Sequence, residues 1–156
     1  MQILIAKRFT SAAKFILLNQ PNQERFMNYY MDVLRKYFVF SGRARRKEYW
    51  MFILFNILIS IGLSIVDRVT GLYSAESGVG LLSTIYSLAV LIPSIAVGVR
   101  RLHDTNRSGW WMLICLVPFI GSIVLLVFFV LDSDPGTNQY GPNPKLAGPG
   151  TAIPIV

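Results

Sequence analysis

One short stretch, RRLHDTNRSGWW over Arg100–Trp111, carries most of the residues that could do chemistry. It holds the single histidine, His103, followed directly by Asp104. In a catalytic pair the imidazole would act as general base and the carboxylate would orient it. Adjacent residues of a helix point about 100° apart, however, which fits such a relay poorly, and no Ser or Cys nucleophile is placed by spacing. His103 and Asp104 are therefore only weak catalytic candidates.

The arginines of this stretch suggest a different chemistry. A second basic stretch, RARRKEYW over Arg43–Trp50, precedes a long uncharged run. If both stretches lie on one membrane face, their cations would attract anionic lipid headgroups, and guanidinium groups bind phosphate bidentately. Generic lipid contact and a selective pocket for a phosphorylated ligand are both open. The cations concerned are Arg43, Arg45, Arg46, Lys47, Arg100, Arg101 and Arg107.

The same residues also have a purely structural interpretation. Ser108 stands where the N-cap of a following helix belongs. Tryptophan and tyrosine are enriched at the membrane–water interface, which predicts four interface anchors. A metal site is not expected, because one cysteine and one histidine cannot form a zinc cluster, and no cofactor is expected either. The predicted anchors are Tyr49, Trp50, Trp110 and Trp111.

Three uncharged runs must position these residues. They are Tyr49–Val66, Gly80–Val99 and Trp110–Leu131, with 18, 20 and 22 residues. Helices of these lengths span about 27 to 33 Å, close to the ~30 Å hydrocarbon core of a bilayer. A soluble bundle is disfavoured because its helices keep a polar face, whereas these runs are apolar nearly all round. The sequence predicts three transmembrane helices.

The distribution of positive charge predicts the orientation. Ten of the 15 Lys and Arg residues precede the first run, one lies between the first and second, three lie between the second and third, and one follows. Basic residues stay on the cytoplasmic side during insertion. The N-terminus and the Arg100 loop should therefore be cytoplasmic, and the tail periplasmic or extracellular. Because topology explains the net charge of +7, nucleic-acid binding is not expected.

The remaining segments flank the membrane domain, residues 42–131. Residues 27–41 repeat apolar side chains at helical spacing and predict an amphipathic helix, lying in the headgroup region or docked on a protein partner. Residues 132–156 form a Pro/Gly-rich tail that cannot continue a helix. Inside the first two runs, Asn56, Ser60, Ser64, Ser83 and Ser87 favour close helix packing over a substrate path.

Three motifs together resemble a known family. They are FSGRARRKEYW (Phe40–Trp50), RRLHDTNRSGWW (Arg100–Trp111) and NQYGPNP (Asn138–Pro144). In this order they resemble the bacterial inner-membrane family called domain of unknown function 805. The resemblance covers roughly Met27–Pro144 and implies a small multi-pass inner-membrane protein with no established activity. Residues 1–26 depart from the family pattern, which suggests a hypothesis that translation starts at Met27.

The sequence therefore predicts an all-α membrane protein, with an amphipathic interfacial helix followed by three transmembrane helices. The function it supports is residence in a bacterial inner membrane with a basic cytoplasmic face that contacts anionic lipid. The alternatives are a scaffold that recruits a protein partner through the amphipathic helix, and an enzyme acting on lipid or phosphate through His103 and Asp104. Membrane lipids are the expected partners, and a homo-oligomer is plausible because three helices enclose little.

Overall fold

The computed structural model describes residues 22–146, with side chains from residue 27 onward. The hypothesis about residues 1–26 and the last ten residues of the predicted tail lie outside the described side chains. The described chain is mostly helical, with one pair of two-residue strands. Its elements are α1 (Asn22–Arg35), α2 (Arg46–Val69), β1 (Tyr73–Ser74), β2 (Val79–Gly80), α3 (Leu81–Asp104), a 3₁₀ helix η1 (Gly109–Leu116) and α4 (Ile120–Val130).

Helices α2 and α3 form an antiparallel pair that corresponds to the first two predicted spans. Each has 24 residues, so each is about 36 Å long, and both are apolar enough to cross a bilayer. Phe52 of α2 is fully buried in the same cluster as Val97 of α3. Ser64 Oγ lies 3.4 Å from Ser83 Oγ at the other end of the pair. The contact between these serines agrees with the packing interpretation of the polar stripes.

Helix α1 packs on this pair through one face. Tyr30 and Val33 are buried in the cluster with Phe52 and Val97, and the Tyr30 ring stacks on that of Phe52 at 5.5 Å. The Tyr30 hydroxyl lies 3.1 Å from the Tyr86 hydroxyl. The Tyr86 hydroxyl donates in turn to the side-chain oxygen of Asn56 on α2. In the region where an amphipathic helix over 27–41 was predicted, the structure has a helix that ends at Arg35. The chain itself covers Tyr30 and Val33, while Met27 and Met31 stay exposed.

The single helix predicted over Trp110–Leu131 is not formed. A 3₁₀ helix of eight residues is followed by a break at Pro118 and Phe119, and α4 then has only 11 residues. Proline has no N–H to donate and Phe119 has a φ of +61°, so the helical hydrogen-bond ladder is interrupted there. The two limbs are each about 16 Å long, half of what a bilayer requires.

These limbs form a hairpin, Gly109–Val130, that we call the apolar hairpin. Both of its limbs reach the same level of α3, because Met112 and Phe129 lie beside Gly98. The limbs approach closely at Gly121, where a Cβ would overlap the carbonyl oxygen of Ile114. The hairpin thus begins and ends at the same end of the α2–α3 pair.

The tail after α4 lies at this end too. Asp134 N donates to Asp104 O, and Arg43 donates to the carbonyl oxygens of Asp134 and Gly136. We call this end, where the three sequence motifs lie, the motif end. The described part of the tail, up to residue 146, thus lies beside the Arg43 loop, whereas the sequence predicted the tail on the opposite membrane face.

The other end of the α2–α3 pair is closed by the β-hairpin Leu72–Gly80. Tyr73 pairs with Gly80 in antiparallel register. Asp67, fully buried near the end of α2, accepts hydrogen bonds from Leu82 N and Ser83 N, each at 3.0 Å. A carboxylate from α2 therefore satisfies the free N–H groups at the start of α3, as an N-cap side chain would.

Candidate anion site at the arginine cluster

Two of the three sequence motifs and the start of the tail meet at one carboxylate. Asp104, the last residue of α3, is fully buried and accepts at both of its oxygens. Arg43 Nε donates to Oδ1 at 2.9 Å, while Arg101 Nη1 and Ser133 Oγ both donate to Oδ2 at 2.6 Å. Hydrogen bonds between ionised groups are the strong ones, and this carboxylate makes two. Asp104 therefore fastens the first basic stretch, the end of α3 and the tail together.

Arg43 uses its whole guanidinium in this arrangement. Besides Asp104 Oδ1, it donates to the carbonyl oxygens of Asp104, Asp134, Gly136 and Gly141. Its side chain is only 1% exposed. The planar fork of five N–H donors explains why arginine stands here, because a lysine has three donors at a single point.

Arg101 binds the end of α4. Its Nε donates to Phe129 O at 3.2 Å, and its Nη2 donates to Leu131 O. The last carbonyl groups of a helix have no partner within the helix and carry partial negative charge. A buried guanidinium supplies these carbonyl groups with both hydrogen-bond donors and a positive charge. Arg101 therefore holds the second limb of the apolar hairpin against α3.

Arg100 pairs with a carboxylate of α2. Its Nη1 donates to Glu48 Oε1 at 2.8 Å, and the Arg100 side chain is 2% exposed. This ion pair joins α3 to the start of α2. We call Arg43, Glu48, Arg100, Arg101 and Asp104 the arginine cluster.

The motif NQYGPNP closes the cluster from the tail side. Asn138 Nδ2 donates to His103 O at 2.9 Å, and Asn138 Oδ1 accepts from Tyr140 N. The Tyr140 ring stacks on the His103 imidazole with centroids 3.8 Å apart and an interplanar angle of 3°. Gly141 supplies a carbonyl oxygen to Arg43 at a φ of +125°, where side chains are disfavoured.

The geometry does not form the catalytic pair that the sequence suggested. His103 Nδ1 lies 3.2 Å from Gly42 O rather than at a carboxylate. Both oxygens of Asp104 are occupied by Arg43, Arg101 and Ser133. Asp104 therefore does not orient His103. Instead, Asp104 binds two arginines, and His103 contacts the backbone of the Arg43 loop.

The seven predicted headgroup-binding cations divide into two groups. Arg43, Arg100 and Arg101 are buried and bind carboxylates or carbonyl oxygens of the protein. The other four lie nearer the surface of the motif end. Lys47 is exposed, Arg45 donates to Pro144 O, Arg46 pairs with Asp132, and Arg107 lies 4.2 Å over the Phe128 ring.

Asp132 links two of the outer cations. Its Oδ1 accepts from Lys145 Nζ and lies 3.3 Å from Arg46 Nη2. The hydrogen bond from Lys145 and a backbone hydrogen bond from Ser133, helped by the charge of Arg46, hold the pKa of Asp132 below its ordinary value, although desolvation acts to raise it. Because this carboxylate is exposed, water and salt screen the pairs and they contribute little to stability.

The predicted aromatic anchors also lie around the motif end. Trp110 is 80% exposed and Trp111 is 45% exposed at the start of the apolar hairpin. Both line a shallow groove with Ser108 and Ile114. Ser108 caps η1 as predicted, its Oγ accepting from Trp110 N. Tyr49, in contrast, packs against Phe129 at 4.5 Å and contributes to the core as much as to an interface.

Among residues 22–146 no group of three or more His, Cys, Asp or Glu side chains could hold a metal ion. The cysteine, Cys115, lies exposed in η1. The donors gathered at the motif end are guanidinium and amide N–H groups. Such donors bind anions or carbonyl oxygens.

Comparison with known proteins identifies the family. The model of a protein family of unknown function, DUF805, matches residues 37–142, which include all the motif residues described above from Gly42 to Gly141. The chain belongs to the DUF805 family. The family resemblance of the three motifs is thereby confirmed.

Relatives within this family are named as membrane proteins. Inner membrane protein YhaH of Escherichia coli K12 is 51% identical over 120 residues, which cover 77% of this chain and 98% of YhaH. Inner membrane protein YhaI of the same strain is 48% identical over 119 residues, covering 76% and 97%. No solved structure matches the chain. With two helices able to cross a bilayer, the DUF805 member is an integral membrane protein, as predicted.

Two parts of the site were missed from the sequence. The partner of Glu48 is 52 residues away, so no local spacing indicates the pair. The role of the tail was also missed, although NQYGPNP gives a signal. Its Asn, Gly and Pro residues are typical of tight turns with side-chain hydrogen bonds to backbone. Such a turn presents backbone carbonyl oxygens that can accept hydrogen bonds from buried arginines.

Proposed function

We propose that this DUF805 protein resides in the bacterial inner membrane with its motif end at the cytoplasmic headgroup region, where its outer cations contact anionic lipid. The supporting observation is a ring of cations and aromatic side chains around one end of the α2–α3 pair. Lys47 and Trp50 lie exposed there, and Arg107 stands near Trp110 in the chain. Cations near an anionic leaflet each contribute about 1 kcal/mol to binding.

The proposed topology has two full crossings and a hairpin that enters from the cytoplasmic side. Limbs of about 16 Å reach roughly halfway into a ~30 Å core. Arg68 is the one Lys or Arg between Lys47 and Arg100, and it lies at the β-hairpin end. The positive-inside rule then puts the motif end, the Arg43 loop and the tail in the cytoplasm.

Lipid retention tests the proposed contact. Full-length protein purified in a maltoside detergent is titrated with phosphatidylglycerol and with phosphatidylethanolamine, and bound lipid is counted by native mass spectrometry. The double variant Lys47→Gln/Arg107→Gln should weaken phosphatidylglycerol binding about thirtyfold, since two charges are removed. Arg68→Gln at the opposite end is the matched control and should change binding little. Equal binding by the double variant and the control would refute the proposal.

A membrane scaffold is the second candidate. Its support is the outer face of α1, where Met27 is 52% exposed and Met31 is 41% exposed. Methionine is common on surfaces that bind protein helices or grooves. Photo-cross-linking from position 31 in cells separates the two: an adduct with one defined protein supports a scaffold, whereas adducts with lipid alone support membrane contact.

A further inference from the structure

Arg100 differs from the other two buried arginines in how many of its donors are used. Every nitrogen of Arg43 and of Arg101 has an oxygen partner. Arg100 places only Nη1 on an oxygen, Glu48 Oε1. Its Nε and Nη2 are buried, and no hydrogen-bond partner for them lies among residues 27–146. Buried polar groups in proteins are nearly always paired, so an exception requires an explanation.

The two unpaired nitrogens are the pair that recognises oxyanions. In a guanidinium, the Nε–H and one Nη2–H point in the same direction from one edge of the plane. Two oxygens of a carboxylate or a phosphate accept from such an edge in parallel. Glu48 occupies the remaining nitrogen, Nη1, and thereby fixes the rotation of the plane. Glu48 therefore orients this edge of Arg100, and no residue among 27–146 accepts a hydrogen bond from it.

The charge balance of the arginine cluster indicates the same kind of ligand. Three guanidinium groups and two carboxylates are buried there. Asp104 serves Arg43 and Arg101, and Glu48 serves Arg100. Buried charge is costly unless it is compensated. One additional negative charge would neutralise the cluster, which is the charge of a phosphodiester or of dihydrogen phosphate.

The position of Arg100 favours access from the loop side. Glu48 keeps 11% of its side chain exposed, so the ion pair lies close beneath the surface. The segment 39–45 has no regular secondary structure and crosses Arg100, with Ala44 N donating to Arg100 O at 3.0 Å. A ligand would approach the ion pair from the side on which Glu48 reaches the surface.

We infer that the Nε/Nη2 edge of Arg100 is a binding site for a phosphate group, supplied by an anionic lipid headgroup or by free phosphate. The inference rests on the proposed function only in placing the motif end at headgroup depth. It differs from that proposal in kind, because the outer cations would contact lipid by charge, whereas Arg100 would bind two phosphate oxygens bidentately.

The experiment reads the Nε–H resonance of Arg100 directly. Full-length protein labelled with ¹⁵N-arginine in maltoside detergent is titrated separately with phosphatidylglycerol and with inorganic phosphate. Arg100→Lys assigns the resonance. If that variant does not fold, Glu48→Gln assigns it, because Glu48 binds the adjacent nitrogen of the same group. We expect a saturable shift of this resonance with at least one probe.

The two probes identify the source of the phosphate. A shift with phosphatidylglycerol alone identifies a lipid headgroup, and a shift with inorganic phosphate identifies a soluble ligand. Arg100→Lys should weaken binding of the responding probe by about tenfold, since lysine cannot bind bidentately, while Arg68→Lys at the opposite end should leave it within about twofold. No shift with either probe would mean that only water fills the edge, and it would overturn the inference. The two proposals can fail separately. In the Lys47→Gln/Arg107→Gln variant, weaker lipid retention tests the outer cations, and an unchanged Arg100 shift would show that the edge binds its ligand independently of them.

Discussion

The two ends of the α2–α3 pair are each fastened by a buried aspartate, but in chemically different ways. At the β-hairpin end, Asp67 accepts from two backbone N–H groups and from Ser83 Oγ, all of them neutral. At the motif end, Asp104 binds two buried guanidinium groups. Joining two helices therefore needs only one carboxylate and neutral donors. The additional arginines at the motif end hold something that a helix–helix connection alone does not require.

What they hold is the backbone of the hairpin and tail. Arg101 binds carbonyl oxygens at the end of α4, and Arg43 binds those of the tail. Neither segment has a long apolar helix to keep it in place. Carbonyl groups buried in protein lack water as a partner, and unsatisfied ones cost several kcal/mol. The difference between the two ends indicates that buried arginines hold the backbone where regular secondary structure ends near the membrane surface.

Replacing each buried aspartate by asparagine tests this difference, and Asp104→Asn should have the larger effect. Asp104→Asn removes the charge that compensates Arg43 and Arg101, so we expect a loss of about 3–5 kcal/mol in the free energy of unfolding. The measurement is unfolding of the detergent-solubilised protein followed by tryptophan fluorescence. A loss under about 1 kcal/mol would show that backbone carbonyls alone compensate both arginines.

A steric substitution tests the apolar hairpin next. Gly121→Ala would bring a Cβ into overlap with Ile114 O, and the backbone must move to relieve it. We expect a destabilisation of about 1–3 kcal/mol. Gly62→Ala on α2 is the control, because a Cβ there meets nothing within 4 Å and alanine favours the helix. Equal stabilities of the two variants would contradict the close packing of the hairpin limbs.

Asp67→Asn should have a smaller effect than its counterpart at the motif end. The partners of Asp67 are neutral donors, and asparagine also accepts hydrogen bonds from the N–H groups of a helix start. We expect a loss of about 1 kcal/mol or less, measured in the same unfolding assay. An effect as large as that of Asp104→Asn would remove the distinction between the two ends.

Tyr140→Ala should give the smallest change in stability and a local one. Loss of the stack on His103 should cost about 0.5 kcal/mol, because only one ring contact is removed. Limited proteolysis should then cut between residues 132 and 146 faster than in the native protein, with α2 and α3 intact. Tyr73→Ala in the β-hairpin is the control and should leave the cleavage rate of the tail unchanged.

How far the sequence predicts this molecule depends on the range of the interaction. The runs around Phe52 and Val97 predict two helices correctly, because hydrophobic length is a property of consecutive residues. The run around Pro118 misleads, since 22 uncharged residues satisfy the same rule whether or not the helix is continuous. Only the break at Phe119 and the arginine contacts at Leu131 reveal a hairpin.

The site shows the same limit. The two basic stretches do lie together, because Arg43 and Arg101 share Asp104. Their burial was not predictable from composition, because arginine is usually exposed. Burial depends on carboxylates and carbonyl oxygens that lie up to 98 residues away, as Gly141 does from Arg43.

The side of the membrane on which the tail lies tests the account most directly. Green fluorescent protein and alkaline phosphatase are fused in turn after Val156 of the full chain, with an insertion after Gly71 in the β-hairpin as the opposite-side reference. The account predicts fluorescence and no phosphatase activity for the tail fusions, and phosphatase activity for the Gly71 reference. An active phosphatase at the tail together with a dark fluorescent protein would place tail and Arg43 loop on opposite faces, and it would contradict the arginine cluster.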